Sequence, residues 1–129
     1  MVKATKSESG GRFAYEGLDR VIHERARLSI LTSLMGHKGS LPFTELKRLC
    51  SLSDGNLSRH LQILVDAKVI QVSKSFENNR PQTRCALTAQ GRKRYLEYLD
   101  VLEQVIRDAS AAASSEDGVR RTALKPTPA

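Results

Sequence analysis

The stretch of residues 51–69 constrains the fold most, because its apolar residues recur with the period of an α-helix. The spacing i, i+4, i+7, i+8 places four of them on one stripe, namely Leu57, Leu61, Leu64 and Val65. Ser53 is a suitable N-cap, because its hydroxyl can accept a hydrogen bond from a backbone N–H that the first turn leaves unpaired. The stretch therefore predicts a helix that begins next to Ser53 and buries one face.

The other face of this predicted helix is polar, and its first turns carry small side chains. Its members are Gly55, Arg59, Gln62 and Asp66, with Asn56 and Ser58 at the edges. Small polar residues and an arginine near the start of a helix are the side chains that reading base edges in a major groove requires. An ordinary solvated helix would show the same pattern, so the face alone does not decide between the two interpretations.

A second, shorter helix is predicted just before it, over residues 42–50. Pro42 is compatible with its first turn, where the missing N–H of proline costs nothing. The spacing i, i+3, i+6, i+7 turns four side chains inward: Phe43, Leu46, Leu49 and Cys50. Because only residues 51–53 separate the two predicted helices, the pair is a helix-turn-helix candidate.

The residues before this pair predict a long amphipathic helix over residues 18–35, closed by Gly36 as its C-cap. Its apolar positions shift phase around Arg25. The segment therefore either contacts two surfaces or breaks into two helices. Leu41, in the connection that follows, is compatible with a brief strand.

From residue 70 onward the period changes from that of a helix to that of a strand. Every second residue of the first arm is expected on a half-buried face: Ile70, Val72, Lys74 and Phe76. Residues 77–81 form a turn cluster, and Thr83, Cys85 and Leu87 alternate along a return strand. The pattern predicts a β-hairpin with Arg80 at its tip. Lys74 and Arg84 on its arms are either backbone contacts for an anionic partner or solvated charges.

The final helical pattern begins after Thr88, a suitable cap, and carries a heptad repeat. Spacings of 4, 3, 4, 3 and 4 connect its positions, which are Tyr95, Leu99, Leu102, Ile106, Ala109 and Ala113. A helix this long has little of its own small domain left to pack on. We therefore expect the same helix of a second copy to cover this seam in a homodimer.

Length and charge indicate the number of domains and the kind of partner to expect. The 129 residues suffice for one domain with a single modest core. We expect that domain over residues 18–113, between a flexible N-terminal arm (residues 1–17) and a disordered C-terminal tail (residues 114–129). The net charge of +7 and the isoelectric point near 9.8 favour an anionic partner, most often nucleic acid.

Several functional classes find no support in the sequence. No apolar run approaches the roughly 18 residues of a membrane span and no signal peptide is recognisable, so we expect a cytoplasmic protein without a membrane partner. Cys50 and Cys85 form no C-x-x-C pair and are interpreted as packed thiols rather than metal ligands or redox sensors. Without a nucleotide-binding glycine motif or a nucleophile–base pair, neither a cofactor nor enzymatic activity is expected.

Residues 27–96 resemble the winged helix-turn-helix transcriptional regulators of the multiple-antibiotic-resistance regulator (MarR) and arsenic-repressor (ArsR) types. The matching pieces are R-L-S-I-L-T-S-L at 27–34, F-T-E-L at 43–46, D-G-N-L-S-R-H-L at 54–61, V-S-K-S-F-E-N-N-R-P-Q-T at 72–83 and L-T-A-Q-G-R at 87–92. The run D-G-N-L-S-x-H-L followed by R-P-x-T is similar to one compact bacterial and archaeal subgroup. The resemblance implies a mainly α fold with a small β-hairpin (α+β), a winged helix with a long C-terminal dimerisation helix.

What the resemblance implies for function is a homodimeric repressor that binds double-stranded DNA. The helix over about 53–68 would lie in the major groove, and the wing over about 70–87 on the minor groove or the backbone. The expected DNA contacts are Ser53, Asn56, Ser58, Arg59, Gln62, Lys74, Arg80 and Arg84. The expected dimer contacts are Tyr95, Leu99, Leu102, Ile106 and Ala109. His60 is expected at the edge of the core rather than on a base.

Two alternatives stay open. A winged helix can also be a protein–protein interaction module, because fold does not fix function. An apolar patch in place of Arg59 and its neighbours would favour that hypothesis. A small-molecule effector is compatible with the resemblance but is not indicated, because aromatic residues make up only 5% of the chain. Tyr95 and Tyr98 are accordingly interpreted as packing residues.

Overall fold

The computed structural model of the chain describes residues 10–120. The elements in chain order are α1 (Arg25–Met35), β1 (Leu41–Pro42), α2 (Phe43–Cys50), α3 (Asp54–Asp66), β2 (Ile70–Glu77), β3 (Arg80–Leu87) and α4 (Ala89–Arg120). Two compact units divide the described chain: residues 17–98, and residues 10–16 together with 99–120. Residues 1–9 of the predicted arm and 121–129 of the predicted tail lie outside the described residues. None of the helices described here is both long and apolar enough to cross a membrane.

The first helix is shorter than predicted. It begins at Arg25, and Glu24 is its N-cap, with a carboxylate that accepts a hydrogen bond from the backbone N–H of Arg27 at 2.8 Å. Residues 18–24 form turns instead, because the Asp19 carboxylate accepts a hydrogen bond from the backbone N–H of Val21 at 3.0 Å and competes with helix formation. The phase shift around Arg25 therefore marks the true start of the helix.

The predicted helix-turn-helix is present. Ser51, in the three-residue turn between α2 and α3, takes the left-handed conformation with φ of 53° and ends α2. The apolar stripe of α3 faces the core, with Leu57, Leu61 and Leu64 buried and Val65 half-buried. The expectation for Leu49 was wrong, because its side chain is exposed whereas Leu46 alone anchors α2 in the core.

The sheet has three antiparallel strands in the order β1-β3-β2, so the predicted hairpin and brief strand are both confirmed. β1 pairs Leu41 with Cys85 of β3. The turn of the hairpin is shorter than the predicted cluster and consists of Asn78 and Asn79, with φ of 53° and 63°. Positive φ at both central residues is the type I′ geometry that matches the twist of a two-residue hairpin.

The hairpin is buried only at its base. Ile70 is buried, whereas Val72 is 40% exposed and Phe76 is 72% exposed. The predicted half-buried face is therefore wrong from Val72 outward. Alternating residues along a strand share a face of the sheet, but the alternation does not show how far the helices packed against that face extend.

The last helix begins after Thr88, as predicted. The Thr88 hydroxyl accepts a hydrogen bond from the backbone N–H of Gly91 at 2.8 Å and caps the first turn. At the other end α4 continues to Arg120, so residues 114–120 are helical rather than part of the predicted disordered tail.

Candidate nucleic-acid interface

The outer face of α3 carries all the polar residues that the sequence assigned to it. Ser53 caps the helix by accepting a hydrogen bond from the backbone N–H of Asn56 at 3.1 Å, and its hydroxyl proton stays available to a second acceptor. The remaining predicted contacts lie on the exposed side of this one helix: Asn56, Ser58, Arg59 and Gln62. Behind them the helix is fixed by its buried leucines, so the face is presented on a rigid element.

The exposed side chains of α3 make only light contacts with one another. Arg59 donates from Nη2 to Oδ1 of Asn56 at 3.4 Å, and Gln62 donates from Nε2 to Oδ1 of Asp66 at 2.9 Å. Hydrogen bonds between exposed groups are worth little net free energy, because water competes for both partners. These donors can therefore exchange their present partners for base edges or phosphates at small cost.

The hairpin of residues 70–87, called the wing from here on, places its cations on two faces. Arg80 is exposed beside the two-residue turn, directly opposite Glu77. Lys74 is also exposed, but the pleat puts it on the face that carries Phe76, whereas Arg80 and Arg84 lie on the other face. The wing thus offers one cation at its tip and one on an arm.

Arg84 has a different environment from the other predicted contacts. Its guanidinium donates to the Ser40 hydroxyl at 2.7 Å, to the Ser40 carbonyl at 3.1 Å and to Oε1 of Gln82 at 3.1 Å. It also lies 3.5 Å from a carboxylate oxygen of Glu77, with only 26% of its side chain exposed. Arg84 therefore ties β3 to the residue before β1, and its donors are already engaged.

A polar cluster that the sequence did not predict lies behind α3. His60 is 6% exposed, which confirms its place at the core edge, and its Nδ1 accepts a hydrogen bond from Nη1 of Arg27 at 3.1 Å. The Glu24 carboxylate lies 3.7 Å from the same nitrogen. Burial lowers the pKa of His60, the Glu24 charge opposes that shift, and the charges of Arg59 and Arg27 add to it. His60 thus favours its neutral form.

The far end of α3 is held by a second long-range contact. Arg94 of α4 donates to both carboxylate oxygens of Asp19 and, from Nη1, to the carbonyl of Ala67 at 3.5 Å. Burial raises the pKa of Asp19, but the hydrogen bonds from Arg94 and from Val21 N–H outweigh it and leave that pKa below its ordinary value. The pair therefore stays ionised and joins the segment before α1 to the end of α3.

Comparison with known proteins identifies the family to which this arrangement of helices and strands belongs. The family model of the winged helix DNA-binding domain matches residues 26–106. The chain belongs to this family. The match includes both helices of the helix-turn-helix and the whole wing.

Three similar proteins are informative. The uncharacterized protein MJ0432 of Methanocaldococcus jannaschii is 28% identical over 89 residues, which cover 69% of this chain and 96% of that protein. A transcriptional regulator homologue from Pyrococcus horikoshii OT3 is similar in structure, with a TM-score of 0.65, 25% identity, and coverage of 69% of this chain and 87% of the other. Sco3205, a MarR family regulator from Streptomyces coelicolor solved in complex with DNA, shares the fold, with a TM-score of 0.52, 18% identity, and coverage of 89% and 81%.

The heptad positions of this winged helix differ in their surroundings. Tyr95 is buried in its own chain, where its hydroxyl lies 2.8 Å from that of Thr32, and the packing interpretation of Tyr95 and Tyr98 is confirmed. Leu99 and Leu102 are half-buried, Ile106 is 58% exposed, and Ala109 and Ala113 are exposed. Tyr95 needs no partner chain to cover it, whereas the positions from Leu99 onward leave apolar surface in water.

Tyr15, which precedes the winged helix match, contacts α4 in the same region. Tyr15 donates its hydroxyl to Oδ2 of Asp108 at 2.6 Å, across 93 positions of sequence. The hydrogen bond raises the pKa of Tyr15 and lowers that of Asp108, since it favours the phenol and the carboxylate. The aromatic Tyr15 in a polar segment is a candidate for docking from the sequence alone, but no motif identifies Asp108 as its partner.

The two cysteines have the packed environments that the sequence indicated. Cys85 is fully buried in the wing's base, and burial raises its pKa to about 11, which disfavours the reactive thiolate. Cys50 is half-buried, with its sulfur 3.6 Å from the Ser33 hydroxyl. Within residues 10–115, whose side chains the structure describes, no cluster of three or more histidine, cysteine or carboxylate side chains is arranged to hold a metal ion.

Proposed function

We propose that the protein is a dimeric, sequence-specific DNA-binding transcriptional regulator that represses by blocking access to its site. The observation that carries the proposal is the outer face of α3, where Arg59, Asn56 and Gln62 are exposed on the second helix of the helix-turn-helix in a winged helix DNA-binding domain. No large apolar side chain is exposed on α3 itself, which favours DNA over a protein partner for this face.

Each side chain of this face has a role that its chemistry suits. Arg59 can donate two parallel hydrogen bonds to O6 and N7 of a guanine, and Asn56 and Gln62 can pair with adenine. Ser53 and Ser58 suit phosphate oxygens, which fix the position of the helix without reading sequence. Each group keeps a free donor in the present structure, so binding requires no rearrangement of the backbone.

The wing extends the proposed contact beyond the major groove. Arg80 lies at the tip beside the turn, where a guanidinium can enter the negative potential of a minor groove. Lys74, on the other face, is placed for a phosphate of the neighbouring backbone. Arg84 is better assigned to holding the wing in place, because Ser40 and Gln82 already accept its hydrogen bonds.

The dimer part of the proposal rests on α4. Leu99, Leu102, Ile106 and Ala109 follow a heptad spacing and include apolar surface that is exposed in the single chain. Pairing this stripe with that of a second copy would bury it. A dimer of this kind presents two recognition helices to half-sites about one helical turn, about 34 Å, apart. Sco3205, which shares the fold, has been solved in complex with DNA, and this supports a DNA partner here.

Selection from a random-sequence duplex library by the full chain tests the proposal. We expect enrichment of one inverted repeat whose half-site centres are separated by about 10 base pairs. Light scattering of the protein on the selected duplex should give two chains per duplex. Recovery of unenriched sequence after repeated rounds at low salt would contradict sequence-specific binding.

A further inference from the structure

Phe76 is exposed to an extent that the fold alone does not explain. At 72%, its side chain is the most exposed large apolar side chain among the residues that the structure describes. It lies in β2, one residue before Glu77 and the turn, and so belongs to the tip of the wing. The same strand face is buried at Ile70 and 40% exposed at Val72, so exposure rises steadily from the base of the wing to Phe76.

The Phe76 ring is attached to a paired β-strand rather than to a flexible loop. The two-residue turn at Asn78 and Asn79 closes the hairpin, with Glu77 paired to Arg80. Directly opposite Phe76 in the next pair lies Pro81, whose fixed φ stiffens the return strand. Side chains opposite one another in such a pair have Cβ atoms about 5 Å apart, so the proline backs the aromatic ring.

The charge around this apolar tip is positive. Lys74 lies two residues earlier on the same face and is exposed, and Arg80 is the chain neighbour of Pro81. The other two charges of the wing, Glu77 and Arg84, lie 3.5 Å apart and offset one another. An exposed aromatic ring with one exposed cation on its own face of the wing and a second on the opposite face is complementary to a surface that is anionic at its rim and apolar within.

The minor groove of duplex DNA has this character, since phosphates line its edges and base pairs form its floor. We propose that Phe76 enters the minor groove beside Arg80 as an apolar wedge against a base step, while Lys74 contacts a flanking phosphate. This inference rests on the proposed function and adds a second mode of sequence recognition. Wedge insertion favours steps that unstack easily, such as TA and CA/TG, so Phe76 selects sequence through deformability rather than through hydrogen bonds.

Three variants of the full chain separate this role from others. Phe76→Ala removes the ring, Phe76→Leu keeps an apolar wedge, and Val72→Ala trims the same strand face nearer the base. Each is measured for thermal unfolding, for mass without DNA, and for affinity to the duplex that the wild-type chain selects. The same duplex with 2-aminopurine at each flanking step in turn reports unstacking through its fluorescence.

We expect Phe76→Ala to fold normally, because its side chain is exposed, and to bind the selected duplex at least about tenfold more weakly. The fluorescence increase at one flanking step should be present with the wild type, Phe76→Leu and Val72→Ala, and absent with Phe76→Ala. Replacing a flexible flanking step by a stiff A-tract should weaken the wild type and leave Phe76→Ala unchanged.

Other outcomes would overturn the inference in distinguishable ways. If Phe76→Ala binds as tightly as the wild type, the wedge is wrong and the proposed function stands. If Phe76→Ala lowers the mass of the DNA-free protein, the ring covers a second copy of the chain instead. If the wild type selects no duplex at all, the proposed function fails, and the wedge fails with it.

Discussion

Arg27 of α1 donates a hydrogen bond to Nδ1 of His60 on the inner face of α3, with 3.1 Å between the two nitrogens. The contact directly joins the first helix to the helix that carries the proposed base-reading face. Because Arg27 also donates from Nε to the carbonyl of Val21 at 2.6 Å, it connects three segments of the chain. The orientation of α3 therefore depends on a neutral histidine nitrogen as well as on leucine packing.

Acid should weaken the fold through this histidine. Burial sets the folded-state pKa of His60 below its ordinary value near 6.5, so well above pH 6.5 the imidazole is neutral in both the folded and the unfolded chain. As pH falls from 6.5 through the folded-state pKa, the unfolded chain binds the proton first, and stability is lost. Protonation also removes the acceptor for Arg27, although Glu24 at 3.7 Å partly compensates the new charge.

Thermal unfolding of the wild type and of His60→Gln between pH 5 and pH 8 measures this effect. The glutamine keeps an acceptor near Arg27 but does not titrate in this range. We expect the unfolding temperature of the wild type to fall more steeply below pH 6.5 than that of the variant. Parallel curves would show that His60 has the same pKa in both states.

Gly91 should tolerate no side chain. A Cβ at this position would lie 1.9 Å from the carbonyl oxygen of Val69, a backbone atom that cannot rotate away. We expect Gly91→Ala to lower the free energy of unfolding by about 1–3 kcal/mol, because α4 must move away from the base of the wing. Urea unfolding measures the change.

Gly55 supplies the matched control, because a Cβ there meets open space on the exposed side of α3. Gly55→Ala should raise the free energy of unfolding by up to about 1 kcal/mol, since alanine loses less backbone entropy in a helix. Equal effects of the two substitutions would mean that the close approach of Gly91 to Val69 is absent in solution.

The two arginines of β3 should separate stability from DNA binding. Arg84→Ala breaks the bonds to Ser40 and Gln82, and we expect it to lower the free energy of unfolding by about 1–3 kcal/mol. Arg80→Ala should leave unfolding unchanged, because the side chain is exposed, and weaken binding to the selected duplex. Urea titrations measure the stability of both variants, and fluorescence anisotropy titrations measure their affinity for the selected duplex. The reverse pattern would exchange the roles assigned to the two residues.

Leu102→Lys should convert the proposed dimer to monomers, since it places a charge in the apolar heptad seam. Gln104→Lys adds the same charge on another face of α4, where Gln104 is exposed, and should leave the mass unchanged. Light scattering at several concentrations compares the two variants. Dimers that survive Leu102→Lys would move the interface to another surface and would leave the proposed DNA-binding face of α3 unaffected.

Local signals predicted much of this fold. The Ser53 and Thr88 caps, the two strands of the hairpin and the exposed face of α3 each depend on residues a few positions apart, and all are present. The start of α1 was misplaced, since a run of apolar residues does not show that Asp19 and Glu24 bond to nearby backbone N–H groups. Side-chain carboxylates that accept hydrogen bonds from nearby backbone N–H groups were enough to shorten the predicted helix by about two turns and to cap its start at Glu24.

Contacts between distant parts of the chain were beyond sequence reasoning. In the sequence, Arg84 and Arg80 look alike, because both are arginines of the same predicted hairpin. In the structure, Arg84 hydrogen-bonds Ser40, 44 positions away, and so holds β3 in place instead of facing solvent. Asp19 and Arg94 are 75 positions apart, and their spacing in the sequence does not predict that they form an ion pair. For the same reason the exposure of Phe76 was unexpected, because alternation assigns a face to a residue but no neighbour across it.

Binding of the wild type and of Arg59→Ala to the selected duplex and to a scrambled duplex, titrated over a range of salt, tests the central claim most directly. We expect the wild type to prefer the selected duplex by at least about a thousandfold, with affinity falling steeply as salt rises. Arg59→Ala should lose about 1–3 kcal/mol on the selected duplex and much less on the scrambled one. Equal affinity of the wild type for both duplexes would contradict base reading by α3.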